Sequence, residues 1–234
     1  GCVHTAPGFG ADDYQTCKRY GMDMVVPVDD QGRHTDYAGK YAGMSTEESN
    51  PVILADMKEA GSLFASEDIV HSYPHCWRCK QPIIFRATPQ WFCSVDSFKE
   101  EAVAACENVR WLPSWGKERM AAMIRERADW CISRQLWWGH QIPAWYCDDC
   151  GHVTVSRTDA CECEACHSRN IHRDPDVLDT WFSSALWPFS TLGWPDKDAE
   201  DLKFWYPTSV MVTGYDIIFF WVARMIFSGL EQMK

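Results

Sequence analysis

Two pairs of cysteines constrain this chain more than any other feature: Cys147-x2-Cys150 is followed, after twelve residues, by Cys163-x2-Cys166. Four thiolates at this spacing can be gathered on one tetrahedral zinc as the two knuckles of a ribbon. A closed four-thiolate shell leaves no position for a substrate water, so the expected role of the ion is structural. Cys161 is a fifth candidate, and Cys161 with Cys163 could form the second pair instead. Reduced cysteines without metal are the plainer alternative. The chain holds 12 Cys and 13 Trp, and cysteines paired in this way, with no signal-peptide pattern, favour zinc in a reducing, cytoplasmic setting over a disulfide framework. Cys76-x2-Cys79 supplies only half a zinc site. Its missing ligands are His71 or His75 nearby, or a partner pair elsewhere in a longer protein.

The sequence lacks an initiator Met and opens on Gly-Cys-Val-His, which reads as a piece of something longer. A net charge of −11 excludes a surface that is basic throughout, but not a local basic patch. The most apolar stretch, Ile217 to Leu230, is too short to span a bilayer and carries Arg224, so no membrane partner is expected.

The pattern of elements is α/β. A helix is expected from near Asp12 through Tyr20, stopping at Gly21, and another over Asn50 to Ala60 with Asn50 as N-cap and Pro51 at its first position. Strands are expected at Met24 to Val28, Ile83 to Phe85 and Trp91 to Val95, and helices over 97–108 and 116–128, with Pro113 breaking the chain between them. A Cys- and His-rich insert occupies 141–175. The run Ser209 to Thr213, then Gly214 and a helix from about Asp216, predicts a strand-turn-helix unit of a doubly wound sheet.

At the start, His4 precedes a Gly-rich turn and Asp12 and Asp13 open a helix. A carboxylate there could receive an ammonium group, although first-turn acids are ordinarily explained by the helix dipole, and a lone His by capping or core packing.

Longer stretches carry a resemblance. His4-Thr-Ala-Pro-Gly-Phe-Gly-Ala-Asp-Asp-Tyr14 and Ser72 to Phe92 resemble isoleucyl-tRNA synthetases, and Asp129-Trp-Cys-Ile-Ser-Arg-Gln135 is shared by isoleucyl and valyl enzymes. Leu136 to Cys147, Asp174 to Trp194 and Val212 to Met225 resemble valyl enzymes. The sequence is thus similar to class I aminoacyl-tRNA synthetases of the isoleucyl/valyl type, with residues 1–134 isoleucyl-like and 135–234 valyl-like. A natural mosaic and an assembly join both fit that change.

The resemblance implies the C-terminal part of an editing (CP1) domain at 1–70, a zinc knuckle and connection at 71–128, and part of a Rossmann-type catalytic domain at 129–234, with a zinc-ribbon insert at 145–172. It implies that Asp13, with His4 beside it, holds the α-amino group of a misattached amino acid. Such editing answers a physical limit: one methylene gives only about 1–3 kcal/mol of discrimination, a magnitude established on aminoacyl-tRNA synthetases themselves. It further implies that Trp181 and Trp221 wall the aliphatic side-chain pocket, that Asp216 holds the substrate ammonium, and that Gly214 admits the aminoacyl-adenylate close to the backbone. Without the resemblance, both Trp would be read as core aromatics. Thr213 stands where isoleucyl enzymes usually carry Glu, and His140 is either polar lining or a core histidine. The implied cofactor is Zn2+, with ATP and Mg2+, isoleucine or valine, and tRNA(Ile) or tRNA(Val) as partners of the full-length enzyme.

The longer matching stretch makes isoleucine the expected amino acid and valine the alternative. Both phosphate-binding signatures of the class, His-Ile-Gly-His and Lys-Met-Ser-Lys-Ser, are absent from the sequence, so the chain by itself is expected to activate no amino acid. A stand-alone editing hydrolase is disfavoured because the chain runs on into activation-domain sequence. A non-catalytic zinc-ribbon RNA-binding module is disfavoured because the insert carries Asp148, Asp149, Asp159, Glu162 and Glu164 against Arg157 and Arg169.

Overall fold

The computed structural model describes residues 3–234; Gly1 and Cys2 lie outside the described residues. The chain forms two compact units that divide between Pro89 and Gln90.

In the first unit, α1 (Ala11–Arg19) starts after Gly10, with Asp12 and Asp13 in its first turn and Lys18 and Arg19 in its last, each sign matched to the helix dipole. It ends at Gly21, whose φ of +64° only glycine adopts cheaply. The expected strand at Met24 to Val28 reduces to a single bridge, Val28 to His34. The Asp29 carboxylate accepts from the amides of Gln31 and Arg33, and this tight turn replaces a longer ladder.

Helix α2 runs over Thr46–Glu59, starting five residues earlier than expected. Ser45 and Glu48 form a reciprocal capping box, the Ser45 hydroxyl accepting from the Glu48 amide and the Glu48 carboxylate from the Ser45 amide. Two orphan donors satisfied there outweigh the one backbone bond that Pro51 removes inside the helix. The expected strand at Ile83 to Phe85 is likewise absent; only His75 bridges Pro82.

The second unit is built on β1 (Phe92–Cys93), α3 (Asp96–Glu107), α4 (Gly116–Arg125), β2 (Trp130–Cys131) and β3 (Ser133–Arg134), in good accord with the expected helices. The chain then enters the insert through β4 (Ala144–Cys147), β5 (Val153–Val155) and β6 (Ile171–Arg173). It leaves through β7 (Val177–Leu178), α5 (Thr180–Ser184), α6 (Trp187–Ser190) and α7 (Glu200–Trp205). One π-helical turn, Ile218–Val222, leads into α8 (Ala223–Gln232). The apolar faces of α3, α4 and α8 meet around Val95, Ala102, Met120, Ile124, Trp130 and Phe227, with Phe98 stacked on Phe227 at 4.7 Å.

The class is mixed α/β, but all named strands pair antiparallel: β1 with β2, β3 with β7, and β5-β4-β6. The expected strand Ser209 to Thr213 is irregular, with Val210 and Val212 80% and 94% exposed. An apolar run becomes a strand only where neighbours take its N–H and C=O groups, and among the described residues none does. No helix is long and apolar enough to cross a membrane among the described residues.

Candidate metal centre and substrate-pocket residues

Strand β4 delivers Cys147 to the head of a turn that also holds Cys150, and the loop between β5 and β6 supplies Cys163 and Cys166. All four sulfurs lie within 4.8 Å of one another, with Cys147 to Cys166 and Cys150 to Cys163 each at 3.6 Å. A tetrahedron of sulfurs about 2.3 Å from zinc has edges of about 3.8 Å, close to the two shortest separations, so the cluster suits the ion. A disulfide, about 2.05 Å long, does not fit, and the cysteines are free. Cys161 is exposed and lies outside the cluster, which brings Cys163 together with Cys166.

Amides of Cys166 and Ala165 and neighbouring thiols hold Cys163 at about 6 despite burial. Although the Ser168 amide favours its thiolate, the sulfurs of Cys150, Cys147 and Cys163, together with burial, push Cys166 up to about 12. A bound metal cation would favour the thiolate form of each of its cysteine ligands. Asp149 clamps the knuckles together, accepting from the Ser168 hydroxyl and, at 2.9 Å, from the Asn170 amide. The sheet is joined to the helical part through buried Asp174, which accepts from Trp91 Nε1 and the Tyr146 hydroxyl, both at 2.7 Å.

Each Cys-x2-Cys turn has the same backbone. The amide of the first cysteine donates to the carbonyl five residues on, and the amide four residues on donates back to the cysteine carbonyl. The residue that follows the second cysteine is left-handed: Gly151 at φ +72°, His167 at +58°. Cys76 and Cys79 repeat this form, with Lys80 at φ +62° and amide–carbonyl distances of 2.8 Å from Cys76 to Gln81 and from Lys80 to Cys76. The amides of Cys79 and Arg78, with the Cys79 thiol, hold the Cys76 thiol below its ordinary value. His71 and His75 do not join it: their Nδ1 atoms face the carbonyls of Ser72 and Tyr73. Among the described residues no second pair completes this knuckle.

Trp181, on α5, and Trp221, in the π-helical turn, meet edge to face at 5.0 Å, and Phe220 stacks on Trp181. Thr213, Gly214 and Asp216 lie in an exposed stretch before that turn. A Cβ at Gly214 would stand 2.5 Å from a carboxylate oxygen of the exposed Asp216 side chain, which would have to turn aside. His140 is exposed, which removes its core reading. Asp13 accepts from the Ala6 amide at 3.1 Å and so pins the Gly-rich turn to α1, while His4 is exposed.

A buried charge hub behind the two Trp had no local signal in the sequence. Asp179 accepts from Trp130 Nε1 and Arg134, both at 2.9 Å, and caps the Trp181 amide. Arg224 lies 3.9 Å from the same carboxylate, with its guanidinium over Trp130 at 4.5 Å and Trp181 at 5.5 Å. Burial, with Arg127 nearby, brings Arg224 down to about 10.

Valine--tRNA ligase of Thermotoga maritima is 50% identical over 237 residues, covering 100% of this chain and 27% of the relative. The valine--tRNA ligases of Carboxydothermus hydrogenoformans and Pseudothermotoga lettingae are 48% and 47% identical over 236 and 237 residues, each with all of this chain and 27% of the relative covered. The chain therefore spans about a quarter of the length of the curated relatives it matches. These matches overturn the isoleucine expectation. Valine enzymes align with residues 1–134 as well as with the rest, so similarity to isoleucyl sequences in that stretch does not mark the amino acid. The family model of class I tRNA synthetases (I, L, M and V) matches residues 9–234, and the chain belongs to that family.

Proposed function

We propose that this chain is part of a cytoplasmic valine--tRNA ligase, an enzyme that joins valine to tRNA(Val) at the expense of ATP with Mg2+ and hydrolyses mischarged tRNA. Residues 1–70 are the end of its editing (CP1) domain, 71–128 the zinc knuckle and connection, and 129–234 part of its Rossmann-type catalytic domain, whose parallel strands come from the rest of the protein. Zinc holds the 145–172 insert through Cys147, Cys150, Cys163 and Cys166, and Cys76 with Cys79 offers two further thiolates to a second pair. The observation that carries the reading is the right-angled Trp181–Trp221 pair, brought together from separate elements beside Asp216 and Thr213 in sequence, in a chain half identical to a valine enzyme. Two aromatic faces meeting in this way wall a branched aliphatic side chain by contact alone, while Asp216 takes the ammonium and Gly214 the adenylate. Asp13 and His4 receive the amino group of a mischarged residue.

Differential scanning fluorimetry with valyl- and isoleucyl-sulfamoyl-adenylate tests this. Valyl analogue at a hundred times its Kd is expected to stabilise the protein by about 2.7 kcal/mol, the isoleucyl analogue far less, and Asp216→Ala to abolish the shift. Equal shifts, or a larger one with isoleucine, would sink the assignment. The 234-residue chain alone is expected to give no valine-dependent ATP–pyrophosphate exchange, because it holds neither phosphate-binding signature.

A further inference from the structure

Three turns of one backbone form carry three different chemistries. At the two positions between the cysteines, the insert turns hold Asp148-Asp149 and Glu164-Ala165, whereas the first knuckle holds Trp77-Arg78, followed by Lys80. The whole segment 69–95 contains no Asp or Glu, in a chain with 33 acids and a net charge of −11. Trp77 is 75% exposed, with the Arg78 guanidinium 4.8 Å from its ring centre. Lys80 reaches over to the Trp77 carbonyl at 2.7 Å, so both cations sit at the Trp77 ring and backbone. Behind them Tyr73, half exposed, stands edge-on between His71 at 5.9 Å and His75 at 6.1 Å, its hydroxyl donating to Ile83.

These groups are presented on a braced scaffold. The Cys76 amide donates to Gln81, the Lys80 amide to Cys76, and the Ile83 amide to Pro74. Arg86 of the same segment is committed to Asp30 and is not counted. Arg78 and Lys80 have no carboxylate partner among the described residues. An exposed aromatic pre-oriented beside two cations that no carboxylate neutralises, in an acid-free segment of an otherwise acidic protein, matches a polyanion that carries flat apolar rings. Bases in single-stranded RNA have free faces to stack on aromatics, and those in a duplex do not.

We propose that the knuckle at residues 71–80 is a docking surface for single-stranded RNA, with an unpaired base stacked on Trp77 and the adjacent phosphates taken by Arg78 and Lys80. The proposal rests on the reading above, in which tRNA is the partner, and assigns to a residue cluster a contact that reading leaves unplaced.

Fluorescence anisotropy of the 234-residue chain with a labelled single-stranded RNA dodecamer tests it, with an RNA duplex of equal charge as competitor. Single strands are expected to bind at least about tenfold tighter than the duplex. Trp77→Ala is expected to weaken binding about 5- to 150-fold, and Trp77→Phe, which keeps a stacking face, to restore most of it. Arg78→Gln with Lys80→Gln is expected to flatten the log–log salt dependence by about 1.4, at about 0.7 per phosphate contact. Unchanged binding in both the Trp77→Phe/Trp77→Ala comparison and the double Gln variant would overturn the proposal. So would duplex binding as tight as single-strand binding, or no RNA binding with a protein partner captured instead. If Trp77→Ala fails to fold, the double Gln variant at two exposed positions decides alone. The valyl analogue shift is measured on the same samples: its loss with RNA binding intact faults the valine reading, and the converse faults this surface.

Discussion

Removing the metal from the four-thiolate site is expected to unfold the insert while leaving the helical part of the same unit folded. The β5-β4-β6 sheet is ten residues of strand, and none of the four cysteines belongs to the apolar cluster around Val95, Met120 and Phe227. So small a sheet has little apolar surface to bury, and an ion bound by the four cysteines would supply what a core does not. Structural zinc contributes about 10–16 kcal/mol of apparent binding free energy in zinc-finger peptides, as much as the total stability of an ordinary domain, about 5–15 kcal/mol. Chelation, or Cys147→Ser with Cys163→Ser, is therefore expected to open 148–170 to proteases and to release one zinc per chain. Cys76→Ser with Cys79→Ser should leave that zinc in place. Mass spectrometry of limited digests locates the cuts, and an insert that stays resistant without metal would refute the dependence.

Asp179→Ala is expected to cost about 3–5 kcal/mol, the penalty for stripping one partner from a buried ion pair. Asp179 is 6% and Arg224 5% exposed, so the guanidinium cannot turn to water when its carboxylate is lost. The Trp130 indole N–H loses its acceptor in the same step, and α5 loses its cap. Urea denaturation should show a midpoint shift at unchanged slope. Asp179→Ala with Arg224→Met should recover much of the loss, because a buried pair replaced by apolar groups of similar volume is often neutral. Additive losses in the double variant would mean that the two side chains do not act as a pair.

What could be read from the sequence follows from how local the cause is. The cluster of Cys147, Cys150, Cys163 and Cys166 was legible because two Cys-x2-Cys turns fix the spacing of their sulfurs in the chain order. The start of α2 was equally local and was still misread: Asn50-Pro51 imitates a helix start, while Ser45-x-x-Glu48, five residues upstream, satisfies more donors. The strand expected at Ser209 to Thr213 depends on partners that its own pattern cannot supply. Trp181 and Trp221 could be paired only through resemblance, since forty residues separate them, and the Asp179–Arg134–Arg224 hub joins three segments with no shared local pattern. The amino acid was not legible in residues 1–134, because valine enzymes align with that stretch as well as with the rest.

The π-helical turn at Ile218–Val222 sets the phase of everything before α8. Successive α-helical residues advance by about 100°, so one residue more or fewer in that turn swings Trp221 by roughly that angle, off the edge of Trp181. The buried positions Ala223 and Phe227 would keep their places, because they lie on the α-helical side of the turn. The aromatic wall is thus sensitive to counting rather than to chemistry. Along this stretch a substitution changes a contact, whereas an insertion or deletion changes which residue faces Trp181.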